Sequence, residues 1–161
     1  MIVEINLSDA RWADVGLQGL EQTAFDAVSS HLSLGDDCAV SVLACGDAEI
    51  ADLNGQFRDK PTPTNVLSWP SEDLAADCPG NVPYHYEDPE LGDIAIAFDT
   101  CQREAEAFQI TLADHTTHLC VHGLLHLLGY DHINDADAQL MEKTEVLILE
   151  KLGVTDPYGR N

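Results

Sequence analysis

Apolar and polar positions near the start of the chain predict two β-strands with a long helix between them. Residues 2–8 alternate between apolar and polar, and apolar residues cluster at 39–45. A period of two places successive side chains on opposite faces of a strand. Between these segments the spacing predicts a helix over about residues 9–32, with Ser8 or Asp9 as its N-cap.

The rest of the chain continues this mixture of strand and helix patterns. Ile50, Leu53 and Phe57 fall at helical spacing and predict a short helix over residues 47–58. The remaining predicted elements are strands at 65–70 and 91–98 and helices at about 99–109, 111–128 and 134–152. We therefore predict a single α/β (α+β) domain over residues 1–161, in which a small mixed four-stranded sheet packs against about five helices.

A long loop over residues 71–90, rich in Pro, Asp and Glu, separates the last two predicted strands. Connections of this length are uncommon in compact domains unless they are functional or mobile. Two interpretations stay open: the loop is a lid over a site, or its acidic residues simply form a solvated surface.

The chain is strongly acidic, which limits the partners that it can bind. The 161 residues include 29 acidic and 7 basic side chains, which gives a formal net charge of −22. Such a charge repels nucleic acid, whose affinity for proteins depends largely on Lys and Arg contacts to phosphate. Two explanations stay open: a salty cytoplasm that screens the repulsion, or a substrate that a protein partner delivers.

Composition also predicts a soluble, cytoplasmic protein that does not bind membranes. No apolar run approaches the roughly 18 residues of a membrane span, and no basic-then-apolar leader opens the chain. The five cysteines are an odd number without close pairing, which is not the pattern of a disulfide framework.

Three histidines form the pattern with the clearest chemistry. His122 and His126 are four residues apart, so on a helix their imidazoles lie on one face. Gly129 predicts the helix end, after which the chain can turn and bring His132 back as a third ligand. Imidazoles placed this way suit tetrahedral Zn²⁺ at roughly 2.0–2.1 Å, and a three-ligand site is typical of catalytic zinc. We predict one Zn²⁺ per chain, at a central helix and the turn after it.

Other interpretations of this helix stay open. Its apolar character would also suit histidines that are merely buried in a core. His118 and His122 are a rival ligand pair, because His115, His118, His122 and His126 share one face. We prefer His122 and His126, because the turn then directly precedes the third ligand. We expect His118 to support the site or line the cleft, and His115 to be structural.

The spacing H-x3-H-x2-G-x2-H is also that of the metzincin proteases. Those enzymes carry Glu after the first His as general base, whereas this chain has Gly123. A glycine side chain cannot accept a proton, so a peptidase is disfavoured and the general base stays unassigned. Asp131 is the carboxylate nearest in sequence, and it can orient a ligand or cap the turn.

Three segments resemble the YbeY family of bacterial ribosomal-RNA maturation endoribonucleases. The family signature H-G-x-L-H-L-x-G-Y-D-H matches residues 122–132 throughout. The family's Leu-Asn-x-x-Tyr/Phe-Arg segment, its Pro-Thr-Asp-Val-Leu-Ser-Phe-Pro strand and its Leu-Gly-Asp-Ile strand are similar to residues 53–58, 60–70 and 91–94. The chain departs from the family at Pro63, which is inserted, at Asn65, where Asp is usual, and in its long acidic loop.

This resemblance, which covers about residues 1–153, implies a zinc-dependent hydrolase that cleaves single-stranded RNA. It implies roles in 16S ribosomal-RNA 3′-end maturation and ribosome quality control, with ribosomal RNA and ribosomal or ribosome-assembly proteins as partners. It also implies that Arg58 is the arginine of the cleft. A phosphodiester under attack gathers negative charge, which a guanidinium can hold bidentately. The alternative for Arg58 is an ordinary surface charge on a helix.

A second class of function stays open, namely a metal-stabilised ribosome-assembly adaptor with little catalysis. The net charge of −22 favours it, because an acidic surface suits protein partners better than RNA. If the chain binds RNA directly, a local cationic cleft must outweigh the overall field. Arg58, Lys60 and Arg103 are the cations that we expect there.

Overall fold

A four-stranded mixed sheet forms the centre of the computed structural model, which describes residues 1–159. The strands are β1 (Ile2–Leu7), β2 (Ala39–Cys45), β3 (Val66–Pro70) and β4 (Glu90–Ala97). Their spatial order is β1-β2-β4-β3; β1, β2 and β4 run parallel, and β3 is antiparallel to β4. The predicted small mixed sheet is confirmed.

Six helices pack around this sheet within residues 1–159. They are α1 (Arg11–Asp14), α2 (Leu17–Leu32), α3 (Asp47–Arg58), α4 (Phe98–Phe108), α5 (Leu112–Leu127) and α6 (Asp135–Lys151). The single helix predicted over 9–32 is wrong, because Gly16 adopts a left-handed conformation (φ 68°) and separates α1 from α2. Ala10 takes the N-cap position of α1, and Asp9 Oδ1 accepts the backbone N–H of Arg11 at 3.1 Å.

Helix α5 is the central helix, with α2, α4 and α6 on its sides and strands β3 and β4 beneath it. Thr111 begins it as an N-cap whose hydroxyl accepts the N–H of Asp114 at 3.0 Å. The helix approaches the sheet closely at Gly123, whose carbonyl accepts the Ser68 hydroxyl at 3.0 Å. A close contact at this point fixes the height of α5 above the sheet, and therefore the position of the side chains on its upper face.

The end of α5 requires glycine at position 129 for two independent reasons. Gly129 has φ 98°, which side-chain-bearing residues rarely adopt. A Cβ there would also lie 2.7 Å from the carbonyl carbon and oxygen of Leu74 in the loop over residues 71–89. The predicted turn after α5 is therefore present, and it leads to Asn134, which caps α6 by accepting the N–H of Asp137 at 2.9 Å.

The helices and the cysteines of residues 1–159 bear on what the composition predicts. Within residues 1–159, no helix is both long enough and apolar enough to cross a membrane. All five cysteines are free thiols, and four of them are buried. Cys120, on α5, is one of the buried four and lies apart from the histidine site, as its helical position predicts.

Candidate metal centre

Helix α5 and the turn after it bring His122, His126 and His132 together. One nitrogen from each ring lies within 4.8 Å of the others. The Nε2 atoms of His122 and His126 are 3.0 Å apart. The ring centre of His132 lies 5.4 Å from that of His122 and 5.0 Å from that of His126. The three residues predicted from spacing therefore converge at one point.

Hydrogen bonds on the far side of two of these rings set their tautomers. His122 Nδ1 lies 2.5 Å from Glu145 Oε1, and His126 Nδ1 lies 3.0 Å from the carbonyl oxygen of Tyr130. A carboxylate and a carbonyl can only accept, so each Nδ1 carries a proton, and each Nε2 points at the other ring. Burial, with His122 and His132 close by, lowers the pKa of His126 to about 4. This ring is therefore neutral at pH 7.

The arrangement fits a divalent cation and suits zinc. Two Nε2 atoms that face each other at 3.0 Å must share either a proton or a metal ion, because two bare lone pairs at this distance repel. In a tetrahedral zinc site with 2.0–2.1 Å bonds, two ligand nitrogens are roughly 3.3 Å apart, close to the observed separation. Neutral imidazole is a common zinc ligand, and the residues present therefore fit a bound metal.

Glu145, which we did not predict, completes the centre on the Nδ1 side of His122. Its carboxylate extends from α6, is fully buried, and accepts the hydroxyl of Tyr158 through Oε2. The same oxygen lies 3.5 Å from Nε2 of His118. Burial alone would raise the pKa of Glu145, but hydrogen bonds to His118 and His122 outweigh it and lower the pKa to about 2. Glu145 is therefore a buried anion.

His115 and His118, the other two histidines of α5, also lie beside carboxylates. His118, His122 and Glu145 form a second group whose ligand atoms lie within 4.8 Å of one another, which is the structural counterpart of the rival pair. His118 also lines a cavity of about 570 Å³ behind His122. Further along, His115 pairs with Glu104, with Nε2 and Oε1 2.9 Å apart. His115 is thus buried and held in a separate pair whose carboxylate is partly exposed.

The histidine triad faces a groove of about 820 Å³ that also contains Arg58. Arg58 ends α3, and its exposed guanidinium donates through Nη2 to the carbonyl of Ser68 at 3.1 Å. Lys60 lines the same groove. The expectation for Arg103 is wrong, because it does not line the groove and pairs with Asp47 at 2.9 Å.

Acidic residues share the groove with these cations. Glu72 and Asp73, from the loop over residues 71–89, lie on its wall together with Asp131. Asp131 Oδ1 accepts the backbone N–H of His132 at 2.7 Å, so this carboxylate caps the turn that carries the third histidine. The groove is therefore mixed in charge, in contrast to the purely cationic channels of many nucleic-acid-binding proteins.

Fold and site together describe an α/β protein with an open groove in which three histidines could hold a metal ion. The sequence profile of the family described as Endoribonuclease YbeY matches residues 4–153. The relative from Ruegeria pomeroyi, named Endoribonuclease YbeY, is 54% identical over 98% of both chains. The relative of the same name from a Jannaschia species is 56% identical over 98% of this chain and all of its own. The solution structure of TM1509 from Thermotoga maritima aligns with a TM-score of 0.58 over 99% of this chain and 100% of that one, and at 23% identity this likeness concerns the fold.

The chain belongs to the Endoribonuclease YbeY family. It is accordingly a hydrolase, an enzyme that cleaves phosphodiester bonds in RNA, and the resemblance found in the sequence is confirmed.

Proposed function

We propose that the protein is a zinc-dependent endoribonuclease of ribosomal-RNA processing, in which His122, His126 and His132 hold one Zn²⁺ per chain. The observation that carries this proposal is the convergence of three imidazoles, with the Nε2 atoms of His122 and His126 3.0 Å apart and each Nδ1 held by its own acceptor. A bound Zn²⁺ would polarise a water molecule and a phosphoryl oxygen.

The role that we assign to Arg58 follows from its place in the groove. It lies in the same groove as the triad, and one guanidinium nitrogen is anchored on Ser68 while the rest of the group stays exposed. A planar guanidinium held in this way can bind a phosphate oxygen as negative charge grows on it. We propose that Arg58 binds and orients the scissile phosphate.

The shape and charge of the groove favour single-stranded RNA. A flexible strand can bend into a concave groove, whereas a rigid duplex must remain outside it. Among the described residues that line the groove, Arg58 and Lys60 are the cations other than histidine, so few phosphates can be neutralised. We place this activity in the cytoplasm, on the 3′ end of 16S ribosomal RNA, with ribosomal or ribosome-assembly proteins presenting the substrate.

Two observations support a second candidate, an assembly adaptor that binds metal but cleaves little. The net charge of −22 and the acidic wall of the groove oppose tight RNA binding by the free protein.

A peptidase has no such support. A Cβ at Gly123 would lie 3.3 Å from Ile94 Cδ1 and 3.4 Å from Ser68 Oγ, so this position faces the sheet and not the triad.

Cleavage of a single-stranded RNA, measured beside the metal content, tests the proposal. His126→Ala is expected to lose both metal and cleavage, and a chelator should abolish cleavage by the wild type. Arg58→Ala should keep its metal and lose roughly 10²–10³ in rate, as for one charge-stabilising donor. Arg103→Ala is the matched control, since that arginine lies outside the groove, and it should cleave normally.

Two results would separate the candidates. Metal-free protein that cuts RNA as fast as the metal-loaded form would contradict the metallonuclease. If neither form cuts RNA while the metal-loaded protein binds ribosomal components, the adaptor is the correct function.

The salt dependence of RNA binding tests the charge argument. Few cations in the groove predict a shallow slope, because each phosphate contact to a single strand contributes only about 0.7 to the log–log slope. Titrations between low and moderate salt would measure it. A slope that requires many contacts would show that RNA binds elsewhere on the protein.

A further inference from the structure

Residues 156–159 fold back onto the Nδ1 side of His122, behind the histidine triad. Tyr158 lies beyond residues 4–153, the part that the family profile matches. Its hydroxyl donates to Glu145 Oε2, and its ring packs edge-on against His118 with ring centres 5.7 Å apart. Asp156 Oδ1 accepts the N–H groups of Tyr158 and Gly159 at 2.8 and 3.2 Å, which fixes the turn that delivers the tyrosine.

We propose that Glu145 and Tyr158 form a latch that positions His122 for the metal, so that the C-terminal segment sets the metal affinity of the site. The inference rests on the proposed triad. Both residues act through His122 and lie on its Nδ1 side, opposite the nitrogen that faces His126. They are therefore positioning residues.

The latch works through the two oxygens of one carboxylate. Oε1 accepts a hydrogen bond from Nδ1–H of His122, and Oε2 accepts one from the hydroxyl of Tyr158. A carboxylate held at both ends cannot rotate away from the imidazole. A charged acceptor behind a metal-binding imidazole keeps its tautomer and orientation and makes Nε2 a better donor, which is worth 10- to 100-fold in metal affinity in other sites.

The side chains around Glu145 could instead form a second metal site. His118, His122 and Glu145 could hold a second metal ion, since their ligand atoms lie within 4.8 Å. That ion would have to displace the hydrogen bond between His122 Nδ1 and Glu145 Oε1. In the latch the hydrogen bond between His122 and Glu145 stays intact, and we therefore expect one metal ion per chain.

Zinc affinity of the metal-free full-length chain, measured by competition with a chelator, tests the latch without any enzyme assay. Glu145→Gln should weaken Zn²⁺ binding by about 10- to 100-fold. Tyr158→Phe, which removes only a hydroxyl near the end of the chain, should weaken it by about three- to tenfold. In the Glu145→Gln background Tyr158→Phe should have no further effect, because it acts through that carboxylate.

Two variants serve as matched controls. Glu104→Gln alters the other histidine–glutamate pair of α5, and Tyr84→Phe removes another hydroxyl bonded to a carboxylate, that of Asp77. Both should bind Zn²⁺ within about twofold of the wild type. The visible spectrum of the Co²⁺-loaded protein adds a readout of ligand geometry, and only the Glu145 and Tyr158 variants should change it.

The outcomes are decisive in each direction. Wild-type affinity in Tyr158→Phe overturns the latch, even if Glu145→Gln fails to fold. Two metals per wild-type chain and one in Glu145→Gln would also overturn it, because Glu145 would then be a ligand. If the wild type binds no Zn²⁺, the proposed zinc-dependent function is contradicted. If the wild type and the variants bind Zn²⁺ equally well, only the latch is contradicted.

Discussion

Two buried glutamates, on two helices that pack against α5, differ sharply in their electrostatics. Glu145, on α6, is held by His122, His118 and Tyr158, and its pKa falls to about 2. Glu21, on α2, is equally buried, but neither of its oxygens has a hydrogen-bond partner in the described part of the chain. Burial raises the pKa of Glu21 to about 8, so it is mostly protonated at pH 7.

This difference shows that burial does not determine whether a carboxyl group is charged. Desolvation acts on both glutamates and favours the neutral acid. Only at Glu145 do two imidazoles, those of His118 and His122, more than offset that cost, and the resulting anion can hold a metal-binding histidine. At Glu21 the same burial leaves an inert acid that weakens the core.

The pH dependence of stability should show the largest effect. The pKa of Glu21 is about 8 when folded and 4.5 as a free side chain, so the folded state holds an extra proton between these values. The contribution of Glu21 to the free energy of unfolding, taken as the difference between the wild type and Glu21→Gln, should therefore fall as pH rises from about 4.5 to 8, by on the order of 4 kcal/mol, and should level off above that range. Denaturant titrations of the wild type and Glu21→Gln would measure it. Parallel profiles for the two proteins would show that Glu21 ionises normally.

Glu145→Met should destabilise the metal-free protein by about 3 kcal/mol. The substitution leaves the Nδ1 proton of His122 and the hydroxyl of Tyr158 without their acceptor, and breaking a buried charged pair is costly. Chemical unfolding of the metal-free chain would measure the loss. An unchanged free energy of unfolding would mean that the buried anion contributes nothing to the fold.

The same substitution at the other glutamate should have the opposite sign. Glu21→Met replaces a fully buried carboxyl group by an apolar side chain of similar length and removes two unpaired oxygens. We expect a gain of about 2 kcal/mol at pH 7, visible as a higher unfolding midpoint. A loss of stability instead would show that Glu21 has a partner in solution, such as an internal water molecule.

The smallest effect should come from the third glutamate near α5. Glu104 pairs with His115 at 2.9 Å but is partly exposed, with about a third of its side chain accessible. Glu104→Gln should therefore cost about 1 kcal/mol or less, because solvent screens the pair. Thermal unfolding would measure it. If Glu104→Gln lost as much stability as Glu145→Met, solvent exposure would not explain why the Glu104–His115 pair is weaker than the Glu145–His122 pair.

Much of the fold and the triad could be predicted from local pattern. The periods of apolar residues identify all four strands and the later helices, because burial on one face repeats with the geometry of the backbone. His122, His126 and Gly129 are predictable together, since four-residue spacing and a left-handed glycine act within two turns of one helix. The break at Gly16 was missed, because a helix tolerates an isolated glycine and its left-handed conformation depends on the surroundings.

What the sequence by itself determined is therefore local: the elements, the histidine spacing and the turn. Glu21 and Glu145 each interrupt an apolar helical stripe four residues after a buried residue, Leu17 and Met141, and the pattern does not distinguish them. The tertiary structure alone decides that Glu145 meets His122 and Tyr158 whereas Glu21 meets no polar partner among residues 1–159. The physical reason is that hydrogen-bond partners more than ten residues apart are chosen by packing, and packing has no local period.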